Sequence, residues 1–551
     1  MSYALCDLMK ASELFVKQLE VEGVKYIFGL PGEENLAIMD ALRKSKIKFI
    51  VTRHEQAAAF MAATYGRLIG RAGVALSTLG PGAANLVTGV AHAQLTGAPL
   101  VTISGQKAIK ENWQAKFQMV DVVSLMRPIT KKSFSIIDPG VIPTGLRSAF
   151  KLAEDERPGA VHIELPEDVA EEETGALIQV RREVRRPAPD REALWQAAEM
   201  INKARNPLII LSSGANRKNV TPKLLSFVKK TGLYAVHTQM GKGVLTDDSL
   251  YSLFATGMHR RDYVNCGIDA ADLIITIGYN IVEYPPFVWN KELRKKIISI
   301  DFSPAEPDKY FNPDIEVIGD ISGALEKLSS LIPKRDFPRF KKTRALIEEK
   351  AMVPAEKKFP LTPPDIVHTV RGALGKEDIV TLDNGIYKLW FSRMYKTYSP
   401  NTLILDNALA TMGAGLPAAI AAKLVYPDKK VVAVVGDGGF MMNSQELETA
   451  LRNKIPVVVV IIRDDAYGFI KWKQKNMKLA DFGMDLGNPD FKKYAESYGA
   501  IGLKVTKAGE FDGLLREALL SNKLTVIDVP VDYSLNYEVF SEELGNLVCE
   551  V

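Results

Sequence analysis

The chain has 551 residues, too many for one hydrophobic core and enough for about three domains. Apolar residues make up 47% and charged residues 25%, and 70 Lys plus Arg against 66 Asp plus Glu leave a formal charge of only +4. This balance argues against disorder and against a dedicated nucleic-acid or membrane surface. Cys6, Cys266 and Cys549 stand far apart without CxxC spacing, so neither a disulfide framework nor a zinc site is expected, and a reducing cytosol is the simplest home. "MSYALCDLMKASELF" carries an acid inside its first apolar stretch, and no run approaches the roughly 18 apolar residues of a membrane span, so a soluble cytoplasmic protein is expected.

In chain order, the short β-rich runs "KYIFGL", "FIVTR", "GVALSTL", "LVTISG" and "AVHIEL" alternate with helical stretches such as "HEQAAAFMAATYGRLIG". That is the pattern of a parallel sheet covered on both faces. The charged, Pro-containing "RREVRRPAPDRE" reads as a linker, and a second series follows on "PLIILSS", "LYAVHT", "LIITIG" and "KIISID". After "KRDFPRFKKTRALIEEK" a third series runs through "DIVTLD", "TLILD", "KVVAVVGD", "PVVVVIIRD" and "LTVIDVP". The expected fold is α/β, with three consecutive doubly wound parallel-sheet domains at residues 1–180, 190–335 and 355–551. The first and third are open to being distant copies of one design.

The chemistry concentrates in "GDGGFMMNSQELETALRNKIPVVVVIIRDDAYGF", residues 436–469, where two apolar strands each deliver an acid just past their ends. "NSQE" predicts a capping box between them, with Asn443 or Ser444 as N-cap and Glu446 reaching back. If the strands are neighbours, Asp437 and Asp465 emerge side by side at the carboxyl edge of the sheet, where α/β ligands bind. Two close carboxylates repel unless a proton or cation lies between them, which suits magnesium carrying a phosphate ester. Gly436, Gly438 and Gly439 would let backbone N–H groups approach that phosphate. These residues alone leave open a tight turn followed by a solvated one.

"GDGGF" followed by "RDDAYG" resembles the cofactor motif of thiamine diphosphate-dependent enzymes, with Asp464-Asp465 in place of the usual Asn pair. The likeness covers nearly the whole chain, in the order pyrimidine-binding, central and diphosphate-binding domain, and is strongest to acetolactate synthases. It implies that Asp437, the Asp465 side chain and the backbone carbonyl of Tyr467 hold magnesium on the diphosphate, with Gly468 and Phe469 beside it. "FGLPGEENL", "TRHEQAAAFMA" and "STLGPGAANLVTG" resemble that group's cofactor-facing loops. They imply Pro31, Gly32, Pro81 and Asn85 near the pyrimidine and Glu55 as the activating acid that shares a proton with its N1′. Without the resemblance, Glu55 reads as an exposed acid starting a helix, and "GPGAAN" as a helix-start turn. "DNGIYKLW" implies Asn384, Gly385, Ile386 and Tyr387 at the diphosphate. "LATMGAGLPAAIAAK" implies Met412 as the bulky residue against which the cofactor bends, with Ala410 where a glycine is usual. By composition alone Met412 reads as core.

Pyruvate decarboxylases carry an adjacent histidine pair, whereas the six histidines here are never adjacent. "AKFQMVD" instead resembles acetolactate synthases, implying that Gln118, after Phe117, orients substrate. Such a site suits passing an enamine to a second carbonyl better than protonating it. "GYNIVEYPPFVWN" resembles the flavin-independent, catabolic type and lacks the Arg-Phe-Asp-Asp pattern of flavin-dependent relatives, so FAD is expected to be absent. Glu33 and Glu34 are expected to point to solvent. Ile470 and Trp472 are candidates for substrate contact or for plain helix packing. The expected activity joins two pyruvates into 2-acetolactate with loss of CO2, on thiamine diphosphate and Mg2+, in a homodimer or homotetramer built so that one subunit's first domain meets another's third. The alternatives are another thiamine diphosphate-dependent 2-oxo-acid decarboxylase or carboligase, an FAD-dependent oxidase, or a non-catalytic nucleotide-binding protein. Acceptor preference, a biosynthetic or fermentative role and a regulatory subunit stay open.

Overall fold

A computed structural model describes residues 8–111, 117–182, 186–217, 219–259 and 261–549. Near its start β1 (Met9–Lys10) pairs antiparallel with β8 (Glu173–Thr174). Between them β2 (Tyr26–Gly29), β3 (Lys48–Val51), β4 (Gly73–Ser77), β5 (Leu100–Gln106), β6 (Lys132–Ser135) and β7 (Ala160–Pro166) form a parallel sheet in the order β3-β2-β4-β5-β7-β6. A second parallel sheet contains β9 (Pro207–Leu211), β10 (Tyr234–His237), β11 (Ser252–Ala255), β12 (Leu273–Ile277), β13 (Lys296–Asp301) and β14 (Ile315–Ile318). Its order, β11-β10-β9-β12-β13-β14, is that of doubly wound dinucleotide-binding sheets. The third contains β15 (Ile379–Leu382), β16 (Leu403–Ile404), β17 (Val431–Gly436), β18 (Val458–Arg463), β19 (Ile501–Lys504) and β20 (Thr525–Pro530), ordered β16-β15-β17-β18-β20-β19. Counted within each sheet, the first and third share one strand order and the second differs, as two copies flanking an unlike domain would.

The chain divides into two compact units. One comprises residues up to Arg185 with Leu409–Pro427 and Asn443–Ile455, and the other comprises Arg186–Ala408, Asp428–Met442 and the remainder from Pro456. In the second unit β17 and β18 are central, and successive residues Val432, Ala433, Val434 and Val435, and Val458, Val459, Val460, Ile461 and Ile462, are all buried. Burial on both faces is why these strands read as unbroken apolar runs rather than alternating ones. Their parallel register sets Gly436 against Ile462, so the chain leaves both strands at the same edge.

In the first unit α1 (Glu55–Ile69) is capped by His54, whose Nδ1 accepts from the Gln56 N–H at 3.1 Å, and it ends at Gly70 with φ 70°. Its alanines pack closely on α2 (Gly80–Thr96): a Cβ on Gly89 would lie 2.4 Å from that of Ala59.

Two local expectations fail. Cys266 and Cys549 are joined as a disulfide with Cα atoms 5.3 Å apart, tying the helix Tyr263–Ala270 to the C-terminal segment. Their separation of 283 residues gave the sequence no spacing signal; Cys6 lies outside the described residues. The capping box on "NSQE" is also absent: the helix Glu446–Arg452 has Gln445 at its N-cap without a side-chain bond, and Asn443 and Glu446 bond elsewhere. No helix among the described residues is long and apolar enough to cross a membrane.

Candidate cofactor-binding and active-site residues

In the first unit, the turn after β3 delivers Glu55 as the first residue of α1, 7% exposed. Its Oε2 accepts from Asn85 Nδ2 at 3.0 Å, and Oε1 would lie 3.1 Å from a Cβ on Gly82. Glu55, Asn85 and the glycine loop therefore meet, with Pro81 in the first turn of α2 presetting its entry. Pro31 is exposed. A Cβ on Gly32 would strike the Thr78 side chain at 2.3 Å. Thr78 Oγ1 donates to Glu34 at 2.6 Å, and Lys107 Nζ bridges the same carboxylate at 2.8 Å. Glu33 faces solvent as expected, but Glu34 is buried, because this pairing offsets its desolvation. Burial alone would raise the Glu34 carboxyl; Lys107 and Thr78 hold it below the usual range. Met412 is half-buried in the loop before the helix Gly415–Val425. Ala410 sits at φ 55°, a left-handed conformation that explains why a glycine is usual there. Gln118, also left-handed at φ 57°, is exposed, and its carbonyl occupies the place of a Cβ on Gly80.

In the second unit Asp437, 1% exposed, follows β17. Its Oδ1 accepts from Gly438 N–H at 2.9 Å, and its Oδ2 accepts from the Asp465 N–H and Asn488 Nδ2, both at 2.8 Å. Asp465 thus meets Asp437 through its backbone. Its own carboxylate turns to Arg463 at 2.7 Å and Asn488 at 2.8 Å, and its side chain is 47% exposed. The acid left uncompensated is Asp464, with which no lysine or arginine pairs among the described residues. Burial pushes its carboxyl up to about 7, and the charge of Asp437 adds to that. Burial also raises Asp437. The Tyr467 carbonyl already accepts from Ile470 and Lys471 N–H at 2.9 and 3.0 Å, opening the helix Gly468–Asn476.

The glycines have two uses. The Tyr387 hydroxyl accepts the Gly436 N–H at 2.8 Å, and a Cβ on Gly385 would lie 2.4 Å from its ring. Gly436 and Gly385 therefore make room for a phenol, and the Gly436 N–H is taken, contrary to its expected approach to phosphate. A Cβ on Gly438 would meet the Tyr467 ring at 2.9 Å, and one on Gly439 would meet Asp383 at 2.9 Å. Ile386 is buried, Phe469 is half-buried against Trp472, and Ile470 is 48% exposed. A cavity of about 650 Å³ is lined by Asp464, Gly468, Lys471, Trp472, Tyr533 and Asn536 among others. Asp437, satisfied by neutral donors only, and the uncompensated Asp464, which feels its charge, are a donor set that suits a hard divalent cation carrying an anion.

Sequence reading missed Lys388. It is 7% exposed and donates to Asn384 Oδ1 at 2.6 Å, the Asp406 carbonyl at 3.0 Å and Asn407 Oδ1 at 2.9 Å, joining two loops. Burial lowers its amine to about 8. The signal was a lone charge inside the otherwise apolar "YKLWF". Lys388→Met should destabilise the protein by about 2–4 kcal/mol, because three acceptors lose a donor at once; urea unfolding measures this.

Residues 9–125 match the family described as thiamine pyrophosphate enzyme, N-terminal TPP binding domain. Residues 194–328 match its central domain, and residues 383–529 match its C-terminal TPP binding domain. Together with the three sheets, these define the class as a thiamine pyrophosphate enzyme. The chain is similar to the acetolactate synthase of Bacillus subtilis, at 36% identity over 544 residues covering 97% of this chain and 95% of that one. It is similar to the catabolic acetolactate synthase of Raoultella terrigena, at 34% over 540 residues covering 95% of each. It also resembles the probable acetolactate synthase large subunit of Methanocaldococcus jannaschii, at 35% over 548 residues covering 95% of this chain and 92% of that one. The chain belongs to the acetolactate synthase family.

Proposed function

We propose that this protein joins two molecules of pyruvate into 2-acetolactate with release of CO2, using thiamine diphosphate and Mg2+ without FAD. The observation that carries the reading is Glu55, a buried carboxylate fixed through one oxygen by Asn85 with its other oxygen at the glycine loop. Bound thiamine diphosphate supplies the carbanion chemistry. Glu55 holds and returns a proton at the pyrimidine N1′, and Asn85 fixes which carboxylate oxygen does so. Met412 would stand against the cofactor when it is bound. Asp437 and Asp464 hold the magnesium; Asp464 takes the place expected of Asp465, whose carboxylate is bound to Arg463. Asn384 and Gly385 lie at the diphosphate, with Lys388 steadying Asn384. Gln118 orients substrate. The working form is a homodimer or homotetramer, as the family resemblance implies.

The test is product identification from pyruvate with thiamine diphosphate and Mg2+, with and without FAD. The expected result is 2-acetolactate, read as acetoin after acidification, at a rate that FAD does not change. Acetaldehyde as the sole product would instead make the protein a simple decarboxylase.

A further inference from the structure

Glu446 is fully buried, yet no cation pairs with it among the described residues. Its Oε1 accepts the N–H groups of Arg53 at 3.0 Å and His54 at 3.1 Å, and its Oε2 accepts from Thr449 Oγ1 at 2.6 Å. Those two amides form the turn whose next residue is Glu55. On the other side of Glu55, Asn443 Nδ2 donates to Gln56 Oε1 at 3.1 Å and to the Gly413 carbonyl at 2.8 Å. Gly413 follows Met412. One short segment, 443–446, therefore grips the turn on both sides of Glu55 and ties it to the Met412 loop.

We propose that Glu446 is a positioning residue for Glu55, holding the turn at residues 53–54 through a carboxylate whose ionisation tightens that hold. The proposal rests on Glu55 acting as the cofactor's acid. The charges facing Glu446 are few. Glu448 stands two residues on, and the guanidinium groups of both Arg53 and Arg452 turn to Glu448, at 2.9 and 2.8 Å. The His54 ring is engaged by Gln56. Burial pushes the Glu446 carboxyl up to about 7, the Glu448 charge adds to this, and the Thr449, Arg53 and His54 donors oppose it. The group therefore changes charge in the neutral range. As a carboxylate it is the stronger acceptor of amide N–H groups.

Stability and positioning then move in opposite directions. The folded carboxyl ionises near 7 and the unfolded one near 4.5, so this group's contribution to stability is full below about 4.5 and is lost as pH rises towards 7. Ionised Glu446 destabilises the fold while it tightens the turn, a combination expected of functional rather than packing groups.

Glu446→Gln keeps an oxygen at the Oε1 position and removes the charge at every pH. At pH 8 this variant should melt higher than the parent, exchange the amides of residues 53 and 54 faster after correction for intrinsic rates, and turn over about tenfold more slowly. Near pH 5.5, where the folded carboxyl is protonated, the two proteins should converge in amide exchange and turnover, and their melting temperatures should converge only below about 4.5. Glu446→Ala should lose the protection at every pH; if it fails to fold, the glutamine variant alone decides. A glutamine variant with the parent's pH profile and the parent's protection at residues 53–54 overturns the proposal. Amide exchange reports on the turn whether or not Glu55 is catalytic. A faster-exchanging variant of a parent that shows no turnover would therefore defeat the reading of Glu55 alone.

Discussion

Glu55→Gln should lower turnover by about 10²–10⁴-fold, the usual worth of a positioned general acid/base, while shifting the melting temperature little. The substitution is nearly isosteric. Its carbonyl oxygen can still accept from Asn85 Nδ2, the bond that holds the native side chain at 3.0 Å. The helix it begins is capped by His54 rather than by Glu55, so the helix start survives. What disappears is the ability to hold and release a proton at the oxygen beside Gly82, where the close approach leaves no room for a larger residue. The defect should therefore fall on kcat more than on the binding of thiamine diphosphate, which calorimetric titration separates from turnover. Parental turnover in the glutamine variant would remove Glu55 from the chemistry, leaving an ordinary buried acid at a helix start.

The fold was legible because its strands obey one simple rule. β17 and β18 lie centrally under helices on both faces and read as continuous Val and Ile runs, and the same holds across three sheets. The candidate site was legible only where a motif reports backbone shape, as at "GPGAAN", whose Asn85 does meet Glu55. It was not legible where partners are remote. Glu446 looked like a local cap, yet it bonds residues 392 and 393 positions away, and nothing in a short window reveals that choice. The disulfide was hidden for the same reason. The pairing of the Asp465 carboxylate with Arg463 was hidden for a different one. Past the end of β18 the alternation of side chains no longer holds, and Asp465 adopts φ 55°, which turns its carboxylate to Arg463. Sequence spacing counts residues but does not register that reversal.

The adjacent acids should respond oppositely to amidation. Asp464→Asn should raise the melting temperature of the cofactor-free protein at pH 8 and largely abolish the further rise on adding Mg2+ with thiamine diphosphate. The sign follows from the pKa. The folded Asp464 carboxyl is raised to about 7 from 3.8, so its contribution to stability is full below about 3.8 and is lost as pH climbs to 7. At pH 8 the ionised group costs roughly 2–4 kcal/mol before any cation arrives, allowing for its partial contact with water. The amide relieves that cost and the repulsion from Asp437, but it removes the charge that would draw in magnesium, so stabilisation by ligand binding shrinks with affinity. Asp465→Asn should behave otherwise. Its half-exposed carboxylate serves Arg463 and Asn488, so its loss costs about 0–1 kcal/mol and leaves the magnesium response in place. Thermal shifts across a magnesium titration, with and without thiamine diphosphate, distinguish the two. If Asp465→Asn loses the response and Asp464→Asn keeps it, the metal is held by the Asp465 carboxylate, which must then leave Arg463 when the cofactor binds.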